Sequence, residues 1–178
     1  MQEVIQLFTL LACLIILIIY LPSILHPIRN APPIPSSNKS RKEVIAALHG
    51  LGPISNLVEV GSGWGGLTKK IVAIPSIKSI TAIELSPVLA AICYLRLRKK
   101  AKVVCADAFS KRGLKTIKEA DVIVLYAFKE FNDAIFPAIK NNAIIISVAF
   151  QFKDMQTIAP VSNNVYIYKK NVIIPHDP

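Results

Sequence analysis

A short apolar stretch, Leu57-Val58-Glu59-Val60, runs straight into Gly61-Ser62-Gly63-Trp64-Gly65-Gly66. Glycines at alternate positions directly after a strand cost chain entropy. They serve where the backbone must turn sharply, or where a ligand must approach closer than a Cβ would allow. An ordinary Gly-rich turn does not need three of them in alternation. The run therefore reads as a strand, a ligand-cradling turn and a following helix.

The rest of the chain repeats the same alternation. Residues 67–73 read as a helix ended by Pro75, and 79–85 as a strand. Ser86 caps a helix that has Pro87 at its first position and runs to about Arg98. Strands follow over 102–105, 121–126 and 143–150, with a helical segment over 129–140 broken near Pro137. Residues 156–161 and 165–169 read as two strands joined through Ser162-Asn163-Asn164, a hairpin signal. Ahead of the first strand, Ser40-Arg41-Lys42-Glu43 reads as a capping box opening a short helix. Val44, Leu48 and Leu51 form its apolar face, and Gly50, Gly52 and Pro53 stop it. Near-continuous apolar strands separated by helices imply an α/β fold, a mostly parallel Rossmann-like sheet covered on both faces, with the terminal hairpin as an antiparallel edge.

Residues 4–21 hold no charge and almost no polar group. At about 1.5 Å per residue such a helix is roughly 27 Å long, close to the thickness of a bilayer's hydrocarbon core. The start, Met-Gln-Glu, lacks the basic residues of a signal peptide, and Pro22-Ser23-Ile24-Leu25 is a poor cleavage site. A transmembrane anchor over 1–25 is the expectation. A linker over 26–38 follows, in a Pro-rich stretch holding Pro22, Pro27, Pro32, Pro33 and Pro35. The folded domain then spans 39–178.

Charge divides at the same place. All 21 Lys and Arg lie after the apolar run, together with 10 of the 11 acidic residues, leaving the folded part at +11 and the anchor side at −1. Basic residues on the C-terminal flank, Arg29, Lys39, Arg41 and Lys42, place the body on the cytoplasmic side, or in the matrix of a mitochondrion. The densest basic run, Arg96-Leu97-Arg98-Lys99-Lys100-Ala101-Lys102, fits either a solvated face or contact with anionic lipid. Nucleic acid is disfavoured as a partner, because no aromatic interleaving or groove-reading motif accompanies the charge. Three scattered cysteines and three histidines build neither a disulfide scaffold nor a metal cage.

Ligands in such sheets bind beyond the C-terminal ends of the strands. Two ligand chemistries compete for the glycine loop. Gly61-x-Gly63-x-x-Gly66 with Glu84 downstream satisfies a dinucleotide fingerprint, which would make the chain an NAD-type binding module. Glu59-x-Gly61-x-Gly63-x-Gly65 instead fits the loop of S-adenosylmethionine enzymes. The second is favoured by the helix and Pro-rich segment ahead of the first strand, by the lack of room for a hydride-acceptor domain, and by Asp107 after the third strand. A carboxylate there can accept from the exocyclic amine of adenine.

Taken together, V-E-V-G-S-G-W-G-G, I-E-L-S-P, C-A-D-A-F and A-D-V-I-V-L-Y resemble motifs I to IV of class I S-adenosylmethionine-dependent methyltransferases, over roughly residues 34–169. More narrowly, the chain resembles a membrane-anchored subgroup that includes the lysine methyltransferases of the mitochondrial ADP/ATP carrier and the ATP synthase c-subunit. The resemblance implies a sheet of seven strands. It also implies that Glu59, Gly61, Ser62, Gly63, Trp64 and Gly65 border the methionine part of S-adenosylmethionine. Glu84 with Leu85 would meet the ribose, and Asp107, Ala108 and Phe109 the adenine. Residues 33–37 would close over the cofactor. Tyr126, followed by Ala127 and Phe128, stands where an incoming amine would be held, or is a core aromatic at a strand end. The Asn/Asp-Pro-Pro-aromatic motif of nucleobase amino-methylation is absent there. The implied activity is methyl transfer from S-adenosylmethionine to a lysine of a membrane protein, with a lipid or quinone-like acceptor as the alternative.

Overall fold

The computed structural model describes residues 1–25, 37–152, 155–158 and 164–170. Helix α1 (Gln2–Leu25) is followed by α2 (Asn38–Gly50), β1 (Ile54–Val60), α3 (Thr68–Ile71), β2 (Ile77–Glu84), α4 (Pro87–Leu97) and β3 (Lys102–Cys105). The remainder is α5 (Lys111–Lys118), β4 (Val122–Leu125), α6 (Lys129–Ile135), a 3-10 turn (Phe136–Ala138), β5 (Ile144–Val148) and β6 (Val165–Lys169).

The six strands form one sheet in the order β3-β2-β1-β4-β5-β6. All neighbours are parallel except β5 and β6, which pair antiparallel. The chain winds outward from β1 in both directions, so the switch point lies between β1 and β4, where such sheets open a crevice. Alternation along β1 shows why both faces are covered. Val58 and Val60 join a core with Ile117 of α5 and with Phe131 and Ile135 of α6. Leu57 joins the opposite core with Val44 and Leu48 of α2 and Ile71 of α3. Glu59, two residues from Leu57, falls on the α2–α3 side.

Several expectations are corrected. The sheet holds six strands among the described residues, not seven. The expected antiparallel edge is present, but residues 156–158, the described part of its expected first strand, form no strand; Ile158 N donates to Ile167 O at 2.9 Å. The antiparallel partner of β6 is β5 instead. Helix α2 begins before the expected box. Ser37 is its N-cap and accepts from Ser40 N at 3.0 Å, while Ser40 is already inside the helix. Ser86 holds the N-cap position of α4, but its side chain makes no capping bond. Helix α5, capped by Ser110 accepting from Gly113 N at 3.1 Å, has no counterpart in the sequence reading.

Among the described residues no helix is long and apolar enough to cross a membrane, so the expected transmembrane span is not met there. The side chains of α1 are described as far as Ile18 and are exposed throughout. Of the Pro-rich linker expected over 26–38, residues 26–36, including most of the lead-in at 33–37, lie outside the described residues, as do 159–163 of the expected hairpin, while Ser37 and Asn38 belong to the start of α2.

Candidate functional site

The parallel strands end in register. Val60 pairs with Ile83 and Leu125, Glu84 with Cys105, and Leu125 with Ser147. That alignment brings the glycine loop, Glu84, the segment at Asp107 and Tyr126 to one edge of the sheet.

The loop after β1 is strapped to β2, because Gly61 N and Ser62 N both donate to Ile83 O, at 2.9 and 3.0 Å. Gly65 N then donates to Ser62 O, closing a tight turn. Gly61, Gly63 and Gly65 have φ of +78°, +55° and +77°, the left-handed region that costs other residues steric strain. A Cβ on Gly65 would lie 2.8 Å from Cys93 Sγ of α4, so the loop presses on that helix. A Cβ on Gly61 or Gly63 meets nothing within 4 Å, which leaves the loop open on that side. Gly66 has ordinary φ, and the atom nearest its Cβ position belongs to the Arg41 guanidinium, at 3.1 Å.

Glu84 ends β2 and is buried. Its Oε2 accepts from Gly63 N at 2.8 Å and its Oε1 from Ser86 N at 2.9 Å. Burial raises its pKa, while the amides of Ser86, Gly63 and Leu85 favour the charged form and oppose that rise. Glu59 is also buried, and its Oε2 accepts from Thr68 Oγ1 at 2.6 Å. Burial pushes its pKa up to about 8. The Thr68 bond opposes that shift, nearby Glu84 adds to it, and Arg41 opposes it.

Past β3, Asp107 Oδ1 accepts from Phe109 N at 2.8 Å, and Asp107 O accepts from Ser110 N and Ser110 Oγ. The segment is joined to Glu84, because Ala106 N donates to Glu84 O at 3.0 Å. Ala108 is buried, and the half-buried Phe109 ring meets Phe131 edge-on at 5.2 Å. Tyr126 is half-buried and packs against the α2–α3 core. Trp64 is exposed.

Sequence reasoning missed Thr68, Arg41 and Gly113. Spacing gives no signal for Thr68 as the partner of Glu59, or for Arg41 reaching the loop from α2. Gly113 had a signal: a glycine inside a helix is disfavoured unless something presses on it. A Cβ there would lie 2.3 Å from Asp107 O.

No protein-family model matches the chain. No curated protein matches it either. Solved structures do. The chain is similar to an RNA methyltransferase from Salinibacter ruber in complex with S-adenosyl-L-homocysteine, at 17% identity and TM-score 0.65, covering 81% of this chain and 98% of that one. It is similar to an O-methyltransferase from Bacillus cereus, also in complex with S-adenosylhomocysteine, at 18% identity and TM-score 0.53, covering 65% of this chain and 58% of that one. A precorrin-6y C5,15-methyltransferase from Geobacter metallireducens matches at 19% identity and TM-score 0.52, over 67% of each chain. At these identities the likeness establishes the fold: a Rossmann-like α/β sheet of the kind found in methyltransferases that bind S-adenosylmethionine or its product.

Proposed function

We propose that this chain is an S-adenosylmethionine-dependent methyltransferase tethered to a membrane. The glycine loop carries the reading. A dinucleotide fingerprint needs its third glycine, here Gly66, for close helix packing. The glycine actually pressed on a helix, and held at positive φ, is Gly65. Helix α3 after the loop has only four residues, too short to offer a pyrophosphate much dipole. The geometry thus follows Glu59-x-Gly61-x-Gly63-x-Gly65 and supports a sulfonium cofactor over NAD.

The residues fit that cofactor. The open side of Gly61 and Gly63 admits a ligand against the backbone. A carboxylate has about four acceptor sites. Glu84 uses two on backbone amides, which leaves acceptor capacity for a vicinal diol. Glu59 supplies the anion behind the ammonium of a bound amino acid, and that ammonium would draw Glu59 into its charged form. Ser62, Trp64 and Leu85 border the same loop, and Asp107, Ala108 and Phe109 form the adenine side. When bound, S-adenosylmethionine supplies an electrophilic methyl on a sulfonium. The chain's part is to align a lone pair in line with it and to exclude water. Tyr126, at the end of β4, is the residue assigned to hold the incoming amine by its hydroxyl.

The tether rests on sequence: 18 uncharged residues over 4–21, within helix α1, with the basic flank on the C-terminal side. A tethered enzyme searches a plane and favours acceptors sharing it. A lysine of a membrane protein, on the cytoplasmic or matrix side, is the acceptor assigned.

Isothermal titration with S-adenosylmethionine, S-adenosylhomocysteine and NAD tests the cofactor. Both sulfur ligands should bind, and Glu84→Ala should weaken them at least tenfold. NAD binding without either sulfur ligand overturns the reading, and binding of none of the three makes the chain a scaffold. Tritiated methyl transfer to membranes lacking the protein tests the acceptor: label in hydrolysed lysine supports the assignment, and label in the lipid extract replaces it.

A further inference from the structure

Helix α4 is apolar on both sides. Leu89, Ala90, Cys93 and Leu97 are buried towards the sheet. Val88, Ala91, Ile92 and Leu95, at i, i+3, i+4 and i+7, make a second stripe on the other side. Ile92 is 41% exposed, Tyr94 53% and Leu95 70%. Trp64, 37% exposed, is tied to the same helix, because its carbonyl accepts from Arg96 Nη1 at 3.3 Å. Arg96 is the one charged residue in the helix. A helix apolar all round is ordinarily covered all round, and this one is half bare.

The chemistry around the bare stripe names its cover. Arg98, Lys99, Lys100 and Lys102 follow directly and are exposed, and α3, which touches α4, adds exposed Lys69 and Lys70. A symmetric second copy would bring two such cationic clusters together. An anionic bilayer surface meets both needs: aliphatic side chains enter the acyl boundary, aromatics sit at headgroup level, and Lys and Arg reach phosphates. Helix α1, uncharged over 4–21, also touches α4. We infer that the outer face of α4, with Trp64, docks on an anionic membrane surface. This docking holds the catalytic domain down on the bilayer rather than leaving it to swing on its linker. The inference deepens the membrane reading proposed above.

Trp64 is the only tryptophan, so its fluorescence reports this face alone. The full chain is mixed with vesicles of phosphatidylcholine, or of phosphatidylcholine with 30% phosphatidylserine, both carrying brominated acyl chains. Flotation reads the anchor, and quenching of Trp64 reads the face. The expected result is flotation with both vesicles, but at least twofold stronger quenching with phosphatidylserine. That excess should vanish in 0.5 M salt and in Leu95→Asp or the pair Lys99→Glu, Lys100→Glu. All three positions are exposed, and unchanged thermal unfolding would show that the variants fold. Flotation with equal or absent quenching on both lipids overturns the docking face and leaves the anchor standing. Binding and quenching only with phosphatidylserine supports the face and overturns the anchor. No binding to either vesicle overturns both. A self-association removed by Leu95→Asp assigns the stripe to a second copy and overturns the inference.

Discussion

Glu59 is buried beside Thr68, with Glu84 nearby, and its carboxyl titrates near pH 8 rather than at its ordinary 4.5. Between those values the folded protein keeps a proton that the unfolded chain releases. The contribution of Glu59 to stability is therefore complete below about pH 4.5 and is lost as pH rises through 8. One proton corresponds to a slope on the order of 1 kcal/mol per pH unit. Glu59→Gln keeps the bond to Thr68 and cannot ionise. Urea midpoints measured from pH 5 to 8 should fall less steeply in the variant than in the parent, while its affinity for S-adenosylhomocysteine drops. Equal slopes would mean that Glu59 is charged in the free protein. The glycines give a second contrast. Gly65→Ala sets a methyl at positive φ against Cys93 Sγ and should cost about 1–3 kcal/mol. Gly66→Ala meets only the end of the Arg41 side chain and should cost much less, as chemical denaturation of both variants would show. The sequence alone could not choose between Gly65 and Gly66, because both glycine patterns fit one string. Only the placement of Cys93, 28 residues away, decides it.

Among the elements, the parallel strands were legible because runs such as Val122–Leu125 are apolar on both faces and bounded by turns or charge. Helix α5 was not. Its eight residues include four cations and a glycine, which reads as solvated loop. The glycine is there because the first turn of α5 packs directly on the Asp107-Ala108 backbone. A Cβ on Gly113 would lie 2.3 Å from Asp107 O and 2.6 Å from Ala108 O. Neither is a flexible side-chain end, so Gly113→Ala must push the segment that carries Asp107, the acid proposed for the adenine side. Calorimetry should show at least a tenfold loss of S-adenosylhomocysteine affinity, together with lower thermal stability. A variant that is destabilised but binds normally would place the adenine away from Asp107. The start of α2 is ambiguous in the sequence for a related reason. Ser37 and Ser40 are both acceptable caps, and the helix takes the earlier one, with Ser40 Oγ and Ser37 Oγ bonded at 2.9 Å.

At the scale of the molecule, fold class followed from the alternation of elements, but strand order and count did not. Near-universal right-handed crossovers allow the chain to wind either way from β1, and the reversal to β4 is a packing result rather than a local signal. Of the expected seventh strand, the described residues 156–158 make one backbone bond to β6, from Ile158 N to Ile167 O, where a ladder needs several. Composition divides the chain in two. The strands and every assigned cofactor residue fall within 54–169, whereas the uncharged run falls within 4–21. The two parts should therefore separate in function. A chain beginning at Ser37 retains the α2 cap and all six strands, so its affinity for S-adenosylhomocysteine should stay within about twofold of the parent. Its methyl transfer to membranes should fall at least tenfold at low enzyme concentration, because a shared surface raises effective concentration by orders of magnitude. Raising the enzyme concentration should recover that loss, since tethering acts on encounter and leaves the chemical step alone. Recovery would place the apolar run in substrate search. A loss that persists at saturating enzyme would instead place part of residues 1–36 at the reacting site, with the Pro-rich lead-in as the segment to vary next.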